Sequence, residues 1–141
     1  MDTTQIGAGA ALYFPVAVDG ALFGCGDMHA VMGDGEVSVS GAEVAGYATV
    51  TLTALPELVI DTPLIETADE FGVIFSAPSL DEAADGAVHR MVDLVAARTG
   101  QDPADLVMLF GDVRVSQMVD PNKTVRFMVP KRVLDAYGFS L

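Results

Sequence analysis

The sequence predicts an α+β fold, with a glycine-rich β-sheet in the N-terminal part followed by two helices and a final strand pair, and three observations carry this reading. Apolar and polar residues alternate in short runs among closely spaced glycines up to about Thr53. At Ser79 the pattern switches to helical spacing behind a capping signal. Beyond residue 112, β-branched runs return on either side of a cluster of turn-forming residues.

In chain order, strands are expected at Leu12-Tyr13-Phe14, at Val37-Ser38-Val39-Ser40 and at Val50-Thr51-Leu52-Thr53, with further strands through residues 57–60, 64–67 and 71–76. Seven glycines between residues 20 and 46 mark tight turns or close backbone approaches in this part. Ser79-Leu80-Asp81-Glu82 reads as a capping box, and Leu80, Ala84, Ala87, Met91, Leu94 and Val95 follow at helical spacing until Gly100 ends the helix. Asp102-Pro103 places an acid at the cap and a proline in the first turn of a second helix, expected to run to Phe110. The final strands, residues 113–119 and 124–129, are joined by Asp120-Pro121-Asn122-Lys123, which has turn chemistry.

A chain of 141 residues with 51% hydrophobic and 19% charged residues can bury a core, and it is expected to form one domain over residues 1–141. Seven Lys and Arg stand against twenty Asp and Glu, a formal net charge of -13 that opposes phosphate backbones and anionic lipid. Nucleic acid and membrane are therefore not expected as partners. Cys25 is the single cysteine, so no intrachain disulfide forms, and an acidic neighbourhood raises a thiol's pKa; it reads as a buried structural cysteine. The apolar stretch of residues 8–18 is short, contains Pro15 and stops at Asp19, and no basic segment precedes it. Cytoplasm is the expected location.

The segment that carries chemistry runs from Gly24 to Glu36. On extended backbone, residues two apart share a face, so Asp27 with His29 and Asp34 with Glu36 form two pairs that a short turn would bring together. Three carboxylates in close proximity repel unless a cation or proton compensates, which points to a bound divalent metal. A histidine nitrogen among carboxylate oxygens suits zinc, the first choice, with calcium as the alternative. The expected ligands are Asp27, His29, Asp34 and Glu36. His89 falls near the middle of the first helix and reads as a helix-surface histidine. Five of the seven basic residues, Arg114, Lys123, Arg126, Lys131 and Arg132, follow Phe110 and are expected to form salt bridges within this acidic chain or to a partner.

Gly20-Ala21-Leu22-Phe23 followed by Gly26-Asp27, His29 and Gly33-Asp34-Gly35-Glu36 resembles the signature of the acetamidase/formamidase family. Leu12-Tyr13-Phe14-Pro15-Val16, Gly41-Ala42-Glu43 and the run of residues 116–125 are similar to further segments of that family, and Met32 stands where the family usually has glutamine. Known members are about twice as long, so the resemblance implies the C-terminal half of the family pattern with its N-terminal half absent, Asp2 being the last residue of a segment similar to Gly-Gly-Asn-x-Asp. It also implies hydrolysis of small amides such as formamide or acetamide to carboxylate and ammonia, some relatives acting on cyclic amides.

Hydrolysing an amide requires a polarised carbonyl, an activated water and a proton for the departing nitrogen. A divalent metal would supply the first two. Glu36 is the expected proton shuttle and Glu43 the second candidate. Three functions from different classes follow: a metal-dependent amidase, a catalytically inert metal-binding or regulatory fragment, and one subunit of a split amidase. Beyond a small amide substrate, the expected partners are a second copy of the chain or a separately encoded N-terminal half.

Overall fold

The computed structural model of the chain describes residues 1–109, 112–119 and 121–141. Strands β1 (Ala11–Tyr13), β2 (Leu64–Glu66), β3 (Glu70–Ala77), β4 (Val113–Gln117) and β5 (Lys123–Pro130) form an antiparallel sheet in the order β1-β2-β3-β5-β4. Helices α1 (Leu80–Thr99), α2 (Pro103–Leu109) and α3 (Lys131–Ala136) complete the fold. The general α+β order of strands, helices and strand pair is as expected. Phe110 and Asp120, expected at the end of the second helix and in the last turn, lie outside the described residues.

Helix α1 starts where Ser79 accepts from the Glu82 N–H while the Glu82 carboxylate accepts from the Ser79 N–H, the reciprocal arrangement of a capping box. It ends where Gly100 turns left-handed at φ 72° and donates to the Ala96 carbonyl. Its buried stripe is Ala83, Ala87, Met91 and Val95, four residues apart, with Val92 beside it. These residues pack on Phe71, Val73, Val125, Phe127 and Val129, which β3 and β5 present to one face of the sheet. Fully burying side chains of this size contributes about 1.5–3 kcal/mol each. Gly86 sits mid-helix because a Cβ there would meet the Phe75 ring at 2.3 Å, and the same ring carries the Arg90 guanidinium 3.9 Å from its centroid.

Ile65, Ile74 and Met128 point to the opposite face, where Leu12 joins them. Arg126 and Thr124 share that side of β5 by strand alternation. From this face Arg126 holds Asp34, in the loop between β1 and β2.

Two parts of the expected architecture are corrected. In the glycine-rich N-terminal part the strand expected at Leu12 joins the sheet as β1, but residues 37–40, 50–53 and 57–60 form no strand, and between β1 and β2 the pairing is a single bridge from His29 to Glu43. Ala21, Leu22, Asp27, Glu36 and Val39 all have positive φ, which breaks the extended backbone that alternation requires. The second correction is α3, which the sequence reading omitted. Its six residues are too short for a 3.6-residue period to register, yet it buries Leu134 and leads to Phe139, whose ring lies 5.3 Å from that of Phe71. Among the described residues no helix is long and apolar enough to cross a membrane.

Candidate metal centre

His29 and Glu43 are brought together by a local backbone return. The Ala30 N–H donates to the Ala42 carbonyl at 2.8 Å, the Ala42 N–H to the Val31 carbonyl at 2.9 Å and the Val44 N–H to the Met28 carbonyl at 2.9 Å, so His29 and Glu43 face each other across the pair. Asp27 adopts φ 62°, a conformation that a short polar side chain tolerates, and lies beside them. His29 Nε2 is 3.0 Å from Glu43 Oε1 and 3.4 Å from Asp27 Oδ1. One donor atom from each of the three residues falls within 4.8 Å of the others.

The imidazole is largely buried, 9% exposed, while the two carboxylates are 58% and 56% exposed. Despite the short approach of Glu43, Nε2 has no hydrogen-bond partner among the described residues, because the contact is not aligned as a hydrogen bond. A buried, unpartnered nitrogen facing two carboxylates suits a divalent cation: donors about 2.0–2.2 Å from a tetrahedral ion stand about 3.3–3.6 Å apart. The triad Asp27, His29 and Glu43 therefore has the composition to coordinate one, with donor atoms close enough together to converge on it.

The ring's orientation is set from its other side. Nδ1 lies 3.1 Å from Met32 Sδ. Gly41 lies against the imidazole, and a Cβ at that position would come within 2.5 Å of both Cγ and Nδ1. Ser40 Oγ is 2.9 Å from Glu43 Oε1 and steadies that carboxylate.

Asp34 and Glu36 do not join this group. Asp34 accepts both Oδ–Nη2 contacts of Arg126 at 2.7 Å and the Thr4 hydroxyl at 3.0 Å. Arg126 is 1% exposed and also donates to Ser116 Oγ and the Val115 carbonyl. Partial burial raises the Asp34 pKa, but the hydrogen bonds and charge of Arg126, with Thr4 and the more distant Arg114, outweigh it and hold the carboxyl below the usual range. Gly35, buried at φ 89°, packs on Met118 and Val115 and accepts from the Met118 N–H, so residues 34–35 pin the loop to the sheet. Positive φ at both Gly35 and Glu36 breaks the two-residue alternation on which the second ligand pair was based. Glu36 is half-buried and lines a hollow of about 150 Å³ with Met32, Asp34 and Gly41.

The return that brings these side chains together is thus longer than expected, and Glu43 rather than the second acidic pair meets Asp27 and His29. The sequence marks Arg126 only as one of the C-terminal basic residues; its place on β5 between apolar neighbours is the signal of its burial. Asp2 lies within hydrogen-bonding reach of Asp27. His89 is an exposed residue of α1 whose Nδ1 meets the Asp85 carbonyl at 2.8 Å. Cys25 is exposed, a correction to its expected burial, because its loop lies outside both apolar clusters. Arg114 pairs with Glu70 and Asp112, and Lys131 with Glu66, as expected for salt bridges within an acidic chain.

The sequence pattern of the Acetamidase/Formamidase family matches residues 1–136. None of the curated proteins compared matches the chain. Among solved structures, a predicted acetamidase/formamidase from the thermophile Thermoanaerobacter tengcongensis is 45% identical with a TM-score of 0.95, over 100% of this chain and 48% of its own. An acetamidase from Bacillus halodurans is 40% identical with a TM-score of 0.93, over 98% of this chain and 48% of its own. An acetamidase from Yersinia enterocolitica is 34% identical with a TM-score of 0.91, over 95% and 42%. The chain spans about half the length of these solved relatives. The expectation that the likeness is confined to a C-terminal half of the family is corrected by the match over residues 1–136, which takes in nearly the whole chain. On this match, and on agreement with solved relatives through 95% or more of its residues, the chain belongs to the acetamidase/formamidase family.

Proposed function

We propose that this chain carries the cation site of an amidase acting on small amides such as formamide and acetamide, with zinc as the resident ion. The observation that carries the reading is the buried His29 Nε2, without a hydrogen-bond partner and facing the carboxylates of Asp27 and Glu43. Zinc is preferred to calcium because calcium selects oxygen donors throughout and the buried donor is nitrogen. A divalent cation at such a site polarises an amide carbonyl and lowers the pKa of water toward neutrality.

Asp27, His29 and Glu43 hold the ion, Met32 and Gly41 set the imidazole plane, and Ser40 fixes the Glu43 carboxylate. Glu36 lines the hollow beside Met32 and Gly41 and is the proposed proton shuttle for the leaving nitrogen.

The chain alone is expected to release ammonia slowly, because more than half of the surface of the Asp27 and Glu43 side chains is open to water and loosely held geometry costs orders of magnitude. An ammonia-release assay on the zinc-loaded chain with formamide and acetamide tests this. Slow turnover abolished by Glu43→Gln supports the amidase reading; turnover that survives both His29→Ala and Glu43→Gln contradicts it. No turnover at full zinc occupancy would favour the inert metal-binding alternative.

The segment between β1 and β2 is also the proposed interface for association, with a second copy of the chain as the occupant. Leu22, Val31, Tyr47 and Val59 are largely or wholly exposed there, more apolar side chain than an isolated surface tolerates well. Light scattering at increasing concentration should show a mass above that of the 141-residue monomer, lowered by Tyr47→Ser with Val59→Ser. A monomer at all concentrations that binds no hydrophobic dye contradicts the proposal.

A further inference from the structure

We infer that the open cleft lined by Asp2, Ser76, Gln117, Asn122 and Thr124 is a carboxamide-recognition pocket, in which Gln117 Oε1 accepts a hydrogen bond from the ligand's NH2 group. This inference rests on the amidase reading and names the groups that hold the substrate. The cleft has a volume of about 340 Å³, at the small end of the range for ligand sites, about 300–1,000 Å³. It adjoins the triad through Asp2, which lines the cleft and lies against Asp27.

Gln117 is the unusual residue here. It is 3% exposed, and its Oε1 has no hydrogen-bond partner among the described residues, although a buried amide oxygen ordinarily finds one. Its position explains the orientation: Gln117 pairs with Thr124 just after the register of β4 on β5 shifts between Val115 and Gln117, and such an irregularity re-aims the side chain that follows it. Gln117 thus lines the cleft with an acceptor that no group among the described residues satisfies.

The neighbouring strands supply a donor beside it. Ser76 Oγ and Thr124 Oγ1 are 2.8 Å apart, and each hydroxyl carries one hydrogen. One hydrogen closes the bond between them and the other is left to donate. An acceptor and a donor side by side match the adjacent N–H and C=O of a primary carboxamide. A carboxylate has no N–H for Gln117, so the pocket favours the amide over its hydrolysis product. A site that hydrogen-bonds a substrate N–H rejects analogues that lack it, because its own buried group is then left unpaired.

The test is a titration of the ¹⁵N-labelled, zinc-loaded chain with acetamide, acetate and methyl acetate, followed by ¹H–¹⁵N NMR, with zinc content measured on the same samples. Acetamide is expected to shift the Gln117 side-chain NH2 and the Thr124 backbone amide saturably, while acetate and methyl acetate leave them in place. Gln117→Met should weaken acetamide at least tenfold with zinc content unchanged. Acetamide shifts that map elsewhere, equal responses to all three compounds, or a folded Gln117→Met chain that binds acetamide within twofold of the parent would each overturn the inference. The three-ligand comparison on the unaltered chain decides the matter should the variant not fold. Loss of zinc binding with the acetamide response intact would refute the metal reading and leave the pocket standing; zinc bound at full occupancy without any acetamide response at Gln117 would do the reverse.

Discussion

Replacing Asp34 by alanine is expected to destabilise the fold by about 3 kcal/mol, because it leaves the Arg126 guanidinium buried without its carboxylate. Arg126 is 1% exposed and both its contacts to Asp34 are 2.7 Å long, whereas the Asp34 side chain is 46% exposed. The asymmetry predicts an order. Arg126→Met leaves a carboxylate that water can reach and is expected to cost less than Asp34→Ala, with Asp34→Asn between them. For a domain stable by about 5–15 kcal/mol, the loss in Asp34→Ala is a large fraction of the total. Urea unfolding of the three variants measures the order, and equal stabilities for the parent and Asp34→Ala would contradict it. The pH dependence has a definite sign. The folded Asp34 carboxyl sits below its usual range, so its contribution is fully present above the unfolded carboxylate pKa of about 3.9 and is lost as pH falls through the lower folded value. The stability gap between parent and Asp34→Ala should therefore be full at neutral pH and shrink only below about pH 4.

Gly41→Ala is expected to weaken divalent-cation binding about 10- to 100-fold while leaving the fold intact, the size of effect seen when an outer-shell contact to a metal ligand is lost. The added Cβ would come within 2.5 Å of His29 Cγ and Nδ1, so the ring must swing and carry Nε2 away from Asp27 and Glu43. Gly41 does not have positive φ, so the substitution brings no backbone strain of its own. Gly46→Ala is the control. A Cβ there would meet only Sδ and Cε of Met28, the far end of a flexible side chain, and cation affinity should hold. Isothermal titration with zinc on the two variants reads the difference; equal affinities would show that the imidazole orientation is not what the cation uses.

What was legible in the sequence follows the range of the interactions involved. Helix α1 announced itself because its cap, its four-residue apolar spacing and its terminal glycine are all local, and each contributes to the same element. Strands β2 to β5 were legible from β-branched and aromatic runs bounded by turn residues. Residues 37–40 and 50–53 carry the same alternation and fold otherwise, because glycines and positive-φ residues interrupt the backbone and no neighbouring strand pairs with them. The candidate site divides in the same way. Asp27 and His29 are two residues apart and their proximity is local, whereas Glu43 reaches them only through the return closed by the Ala30, Ala42 and Val44 hydrogen bonds. Asp34 was drawn away by Arg126, ninety-two positions along the chain, a partner that no spacing rule identifies.

The most direct test of the account is the zinc content of the chain after loading and exhaustive dialysis against metal-free buffer. The triad predicts about one ion per chain, lost in His29→Ala and in Glu43→Ala and retained in Asp34→Asn, where the carboxamide still faces Arg126. Full occupancy persisting in both His29→Ala and Glu43→Ala, or a parent chain that retains no zinc, would contradict it.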